Sequence, residues 1–327
     1  MTVLVTGASG HLGEAIMRLS AARGVAAVGV DIKPGPFTHQ VGDIADSAFV
    51  ASVMKGARGV LHTATLHKPH VATHSRQDFV DVNVTGTLNL LEAARAEGVD
   101  SFIFTSTTSA FGDALRPAEG EPAAWITEEA HGAPKNIYGV TKIAAENLCE
   151  LFHRKFDMAC LVLRTSRFFP EEDDNAAIRD GFEDENAKVN ELLYRRGDIE
   201  DMADAHFCAL RRAGDIGFGK YIISATSPFT RDDLAELRRD APAVLRRHYD
   251  YDAAYAQRDW RMFPSIDRVY VNDKARAELG WRPRYNFSDA LERLQAGERP
   301  LSDLAYEIGA KGYHEKTFED GPYPVED

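Results

Sequence analysis

The chain has 327 residues, with 51 acidic side chains against 38 basic ones and a formal net charge of -13 at pH 7. That balance excludes a polyanion such as nucleic acid, or an anionic membrane surface, as the expected partner. The length allows one large domain or two unequal ones, and no apolar run is long enough to span a bilayer.

The first elements are short and regular. TVLVTG (residues 2–7) is a β-rich run that stops at glycine, and GHLGEAIMRLSAARG (10–24) has helical periodicity. VAAVGVDI (25–32) is a second strand, AFVASVMKG a helix, GVLHTA a strand and DFVDVNVTGTLNLLEAARAEG a long helix. SFIFTSTTS follows as a strand carried by Phe102 to Thr105, NIYGVTKIAAENLCELFHRKF as a long helix and ACLVLRTS as a strand. Strands alternating with helices predict βαβ units, and so an α/β fold with a parallel sheet covered on both faces. From Phe169 the pattern is irregular, and PEEDDNAAIRDGFEDENAK reads as an acidic surface loop with a short helix. GDIEDMADAHFCALRRAG and KYIISA restore a helix and a strand, and no repeat or linker separates the halves.

Cys149, Cys160 and Cys208 have apolar neighbours and form no CxxC pair, which predicts buried free thiols in a reducing compartment. A first strand at residue 2 or 3 leaves no room for a leader, so the cytoplasm is expected.

TGASGHLG sets Gly7, Gly10 and Gly13 between a strand and a helix, with His11 and Leu12 opening that helix. Glycines let the backbone approach a diphosphate, and the helix N-terminus offers free N–H groups. Asp31 ends the second strand, where a carboxylate accepts ribose hydroxyls and repels a 2′-phosphate, which favours NAD; Lys33 nearby works the other way. Asp43 and Ile44 follow a third strand. Asp43 either meets the adenine or caps a helix.

YGVTK places Tyr138 and Lys142 on one helix face. An ammonium beside the phenol is expected to lower its pKa and make it a general base. FTSTTSAFG ends a strand in hydroxyl residues, Thr105 among them, at the edge where open α/β sheets bind ligands.

TGASGHLG, Asp31, GDI, HTA, VNVTGTLNLLEAA, FTSTTSAFG, NIYGVTKIAAE, LRTSRFFP and KARAELGWRPRYNF stand in the order and spacing of a known family. The chain resembles the extended short-chain dehydrogenase/reductases, in the NAD-dependent epimerase/dehydratase branch. The resemblance implies a Rossmann domain over residues 1–168, with segments around 198–225 returning to it. A small substrate-binding region would take most of 169–327. It implies NAD as cofactor, Tyr138 as base, Lys142 as its partner and Thr107 as the orienting hydroxyl, with Asn83 among the cofactor residues. It implies hydride transfer at a secondary hydroxyl of a nucleotide sugar or sugar acid, and a homodimer through helices near 78–97 and 137–155. Net dehydrogenation of a free sugar acid and a non-catalytic NAD-sensing role are the alternatives.

Three features depart from the family pattern, one of them a short segment between Pro170 and Asp201 that lacks the stretch usually holding the nucleotide. Thr108 and Ser109 stand where dehydratases carry an acid, which disfavours elimination. Arg167 replaces an expected Asn, and its guanidinium serves either a substrate anion or a salt bridge to the acidic loop at 171–174.

HTATLHKPHVATHS (62–75) begins at the end of a strand and carries four histidines. His62 is expected in the core, and Thr63, Ala64 and Thr65 along the NAD cleft. Pro69 breaks any helix that would align His67, His70 and His74, so no metal is expected. Instead, His67 is expected to face the substrate as part of a basic loop opposite Arg167, suited to an acidic sugar.

Overall fold

Val3, Val5, Leu61, Ile103 and Leu163 belong to strands with almost no exposed surface on either face. Such strands are stable only when helices cover both sides of the sheet. The computed structural model shows that arrangement; it describes residues 2–312 together with 314, 318 and 323. The strands are β1 Thr2–Thr6, β2 Ala26–Asp31, β3 Gln40–Val41, β4 Gly59–His62, β5 Ser101–Thr107, β6 Ala124–Ile126, β7 Cys160–Thr165, β8 Phe218–Ile223 and β9 Arg268–Tyr270. Seven form one parallel sheet in the order β3-β2-β1-β4-β5-β7-β8, and β6 pairs with β9 in a small second sheet. This is a Rossmann-type doubly wound α/β fold. Its order reverses between β1 and β4, which opens a crevice beyond their carboxyl ends.

Helices α1 His11–Ala22, α2 Ser47–Met54, α3 Arg76–Phe79, α4 Gly86–Glu97 and α5 Ile137–Phe156 come from the first half. A π-helical turn, Val80–Thr85, joins α3 to α4. The second half adds α6 Ala176–Gly181, α7 Asp184–Glu191 and α8 Ile199–Ile216. One core lies under α1 and α8, the other under α2, α4 and α5. Local chemistry fixes several starts. Asp46 caps α2 by accepting from the Ala48 and Phe49 amides, and Asn136 caps α5 by accepting from Gly139. The second cap places Tyr138 in the first turn of α5, at the crevice.

A separate core gathers Leu192, Leu193, Leu237, Trp260, Phe263, Phe287 and Leu294. The chain crosses between the two regions more often than the sequence suggests. Ala275, Leu279 and Trp281, then Leu304 and Ile308, return to the core under α1 and α8. Trp281 is fully buried, and its indole N–H donates to the Asp201 carbonyl at 3.1 Å.

Two local readings need correction. The strand β5 runs on to Thr107, past the expected end at Thr105, because Ser106 and Thr107 register with Arg164 and Thr165 of β7. The segment 170–188 carries more than one short helix, forming α6 and most of α7, and its acids Glu171 and Asp173 are buried against His11 and Arg167. Arg195 and Arg196 both pair with the buried Glu191. The three cysteines are free and buried. Among the described residues no helix is long and apolar enough to cross a membrane.

Candidate active site

The crevice holds a cavity of about 660 Å³, a size typical of cofactor and ligand sites. Its floor is the glycine loop. Gly7 has φ +75°, and a Cβ on Gly13 would stand 1.9 Å from the Gly7 carbonyl oxygen, so the loop closes on α1 only with glycine at both places. Gly10, His11 and Leu12 also line the cavity. The Asp31 carboxylate accepts from the Ser9 amide and the Lys33 amide, each at 2.9 Å. It is therefore fixed at the β2 end of the cavity, the ribose position of a dinucleotide. Asp43 and Ile44 line the same end. Asp43 caps its own turn by accepting from Ala45 at 2.8 Å, and the helix cap falls to Asp46 instead. A cradle that no larger side chain would fit, together with a fixed carboxylate at its end, suits an adenine dinucleotide.

Thr63, Ala64 and Thr65 form the next wall. The Thr6 hydroxyl accepts from the Thr63 and Ala64 amides, and the Thr63 hydroxyl donates to the Thr6 carbonyl at 2.7 Å. Asn83 does not reach the cavity. Its amide spends itself on the loop, accepting from Leu66 N at 2.8 Å and donating to Leu66 O at 2.9 Å and to Thr141 at 3.0 Å. It holds the wall from behind.

The chemical groups converge opposite. Tyr138, Thr107 and Lys142 all line the cavity, with the Thr107 hydroxyl near enough to the phenol to favour its ionised form. Neighbouring hydroxyls are engaged elsewhere. Ser106 donates to Glu146 at 2.6 Å, and Thr105 pairs with His206 at 2.8 Å. Nδ1 of His206 lies 2.7 Å from the Met202 carbonyl, so that nitrogen carries the proton and Nε2 accepts from Thr105. Lys142 donates to the Thr105 carbonyl at 2.5 Å and lies 4.1 Å from the Phe104 ring centroid.

The expected lowering of the Tyr138 pKa is not found. Burial pushes the phenol up to about 12, against the Thr107 hydroxyl alone. Burial also pushes the Lys142 ammonium down to about 7, against the attraction of Glu146. Desolvation dominates, and Lys142 is not among the groups that lower the phenol. Beneath them, Glu146 makes a two-pronged pair with Arg164 at 3.0 and 2.8 Å. Glu146 continues the Tyr138–Lys142 spacing by four residues on α5, a signal the sequence contained.

The remaining wall is assembled from distant segments. Arg167 lines the cavity, and its guanidinium meets Asp173 at 2.9 Å and Asp174 at 3.2 Å. The salt-bridge reading thus describes its contacts. Lys68 also pairs with Asp174. His62 is a core residue between Thr6 at 2.8 Å and Thr87 at 3.0 Å. His67 stacks on Phe169, with centroids 5.5 Å apart, and touches His70 edge-on. Burial, helped by His70, His11 and Lys142, holds the His67 pKa well below the ordinary value. His67 is therefore a neutral hydrogen-bonding group at pH 7, not the cation expected for an acidic sugar. Pro69 lies in a short 3₁₀ turn, Lys68–His70, and α3 starts after its cap Ser75. Among the described residues no cluster of histidine, cysteine or acid has the arrangement of a metal site. Sequence reasoning missed Phe169, Arg195, Arg268, Tyr270, Lys311 and Tyr323 on this wall. No local spacing marks them.

Comparison with known proteins agrees with this geometry. The family model "NAD dependent epimerase/dehydratase family" matches residues 3–223. A UDP-glucose 4-epimerase of Rhizobium meliloti (strain 1021) is 28% identical over 326 residues, covering 89% of this chain and 94% of that protein. A dTDP-glucose 4,6-dehydratase of Neisseria gonorrhoeae is 27% identical, over 89% of this chain and 93% of its own. The crystal structure of a UDP-glucuronic acid 4-epimerase from Bacillus cereus in complex with NAD shares the fold. Its TM-score is 0.61 at 21% identity, over 89% of this chain and 94% of that one. The chain belongs to the NAD-dependent epimerase/dehydratase family and is an NAD-dependent enzyme.

Proposed function

We propose that this enzyme oxidises a secondary hydroxyl of a nucleotide sugar and reduces the resulting ketone from the other face, a net epimerisation. The observation that carries the reading is the convergence of Tyr138, Thr107 and Lys142 on one dinucleotide-shaped cavity. Gly7, Gly10 and Gly13 would hold the diphosphate and Asp31 the adenosine ribose. Thr63, Ala64 and Thr65 would flank the dinucleotide. When bound, NAD supplies the acceptor for the hydride leaving the carbinol carbon and the donor for its return.

The chain's own residues manage the proton. Tyr138 takes it from the hydroxyl as the C–O bond becomes a carbonyl, and gives it back when the carbonyl is reduced. Thr107 donates to the same oxygen and fixes its position. A protonated Lys142 stabilises the phenolate that acts as base. Thr108 and Ser109 follow Thr107 without a carboxyl group, so no acid stands there to expel water from the neighbouring carbon. Net oxidation of a free sugar acid is not favoured, because Lys68 and Arg167 already face Asp173 and Asp174. A purely NAD-sensing role is not favoured by a chain that retains Tyr138, Lys142 and Thr107 together.

We also propose a homodimer through α4 and α5. Of the large apolar residues exposed, Leu88, Val140, Leu151 and Phe156 lie on or at the end of those helices. Three buried free thiols suit the cytoplasm.

The test is a panel of UDP- and dTDP-hexoses and free uronic acids, followed by NMR for products and by absorbance for NADH. The reading requires an epimer without accumulating NADH. Stoichiometric NADH from a free acid, or no NAD binding at all, would sink it.

A further inference from the structure

Nothing in the glycine motif calls for help from the far end of the chain, yet the structure supplies it. The helix Asp303–Ile308 packs against α1 and α8, and the chain then turns back over the diphosphate loop. There Lys311 donates to the Ser9 carbonyl at 2.7 Å, to the Gly10 carbonyl at 3.4 Å and to the Glu14 carboxylate at 2.5 Å. We infer that Lys311 and Gly312 complete the cofactor site, with Lys311 positioning the diphosphate loop and Glu171 latching the two residues in place. The inference rests on the NAD reading of the cavity.

The physical argument has three parts. First, Glu14 lies in the first turn of α1, where its charge opposes a bound diphosphate. Arg18 at 2.8 Å and Lys311 together neutralise it. Second, the N–H of a trans peptide points opposite to its C=O. A cation on the Ser9 and Gly10 carbonyls therefore fixes the peptide planes whose amides lie at the floor of the cavity. Third, the latch is built. Glu171 is 7% exposed, lies 2.8 Å from His11 Nε2 and accepts from Lys311 N at 3.0 Å and Gly312 N at 3.2 Å. Burial would raise its pKa, but the neighbouring His11 and the backbone donors hold it down at about 2. It stays ionised across the physiological range, tying α1, the loop after β7 and the C-terminal segment at one point. Beyond this point His314 contacts the Pro69 carbonyl at 2.8 Å, and Lys311, Gly312 and Tyr323 line the cavity.

The experiment is calorimetric titration of the full chain with NAD, ADP and adenosine. In Lys311→Met the Kd for NAD and ADP is expected to rise roughly tenfold, the loss of one charge-assisted contact. Adenosine, which has no phosphate, should stay within about twofold of wild type. Lys311→Arg, which keeps the charge, should recover most of the affinity. In Glu171→Gln the rate of NAD release should rise several-fold. Unchanged ADP affinity in Lys311→Met overturns the inference. So does an equal loss for adenosine and ADP, which marks a general packing defect. Wild-type protein that binds no NAD instead overturns the reading of the cavity itself.

Discussion

The two walls of the cleft are built in different ways. The wall formed by the glycine loop, the ends of β4 and β5 and the start of α5 comes from compact stretches of sequence, each of which makes its own turn, cap or strand end. The opposite wall draws Arg167, Phe169 and Asp174 from one loop, Arg195 from after α7, Arg268 from β9 and Lys311 and Tyr323 from the C-terminal region. Its pieces hold together by ion pairs, with Asp173 joining Arg167 and Arg195, and Asp174 joining Arg167 and Lys68. The first wall carries the glycine loop, Thr107, Tyr138 and Lys142, and the second is a surface of paired charges. Backbone geometry can be encoded locally, whereas a surface of side chains from remote segments can change without disturbing the turn that binds NAD.

That contrast can be broken in three places. Tyr138→Phe strikes the chemical wall and should lower kcat about 1000-fold while leaving the Kd for NAD unchanged. Substantial remaining turnover would move the base elsewhere. Glu146→Ala strikes the support beneath that wall. It strands the Arg164 guanidinium, 9% exposed, without its carboxylate, and should cost about 3–5 kcal/mol in urea unfolding. A loss below about 1 kcal/mol would show that the pair behaves like a surface salt bridge. His67→Ala strikes the second wall and has the smallest effect. Loss of one neutral hydrogen bond should raise KM roughly fivefold with NAD affinity intact. Weakened NAD binding would transfer His67 to the first wall, and unchanged kinetics would leave it as packing against Phe169.

Reading from sequence succeeded where signals were periodic or local. The βαβ alternation is present as the parallel sheet, and the glycines, Asp31, Tyr138, Lys142 and Thr107 all line one cavity. The sequence could not say which face Asn83 serves; in the fold its amide bonds Leu66. The acidic run at 170–174 misled for a related reason. Charge density suggests solvent, but Arg167, Arg195 and His11 supply partners that let Glu171 and Asp173 be buried. The histidines showed both outcomes. His62 was legible from its place inside a strand, whereas the neutral state of His67 depends on burial beneath Phe169 from a hundred residues later.

Sequence alone determined the fold class, the position of the dinucleotide loop and the helix face shared by Tyr138 and Lys142, because each depends on spacing along a few residues. Only the tertiary structure decided that Ser106 serves Glu146 while Thr107 lines the cavity beside Tyr138, that Arg167 is matched by its own chain's acids, and that Lys311 returns to the glycine loop. Those outcomes turn on burial and on charges brought together across the fold, and neither quantity exists until the chain has closed on itself.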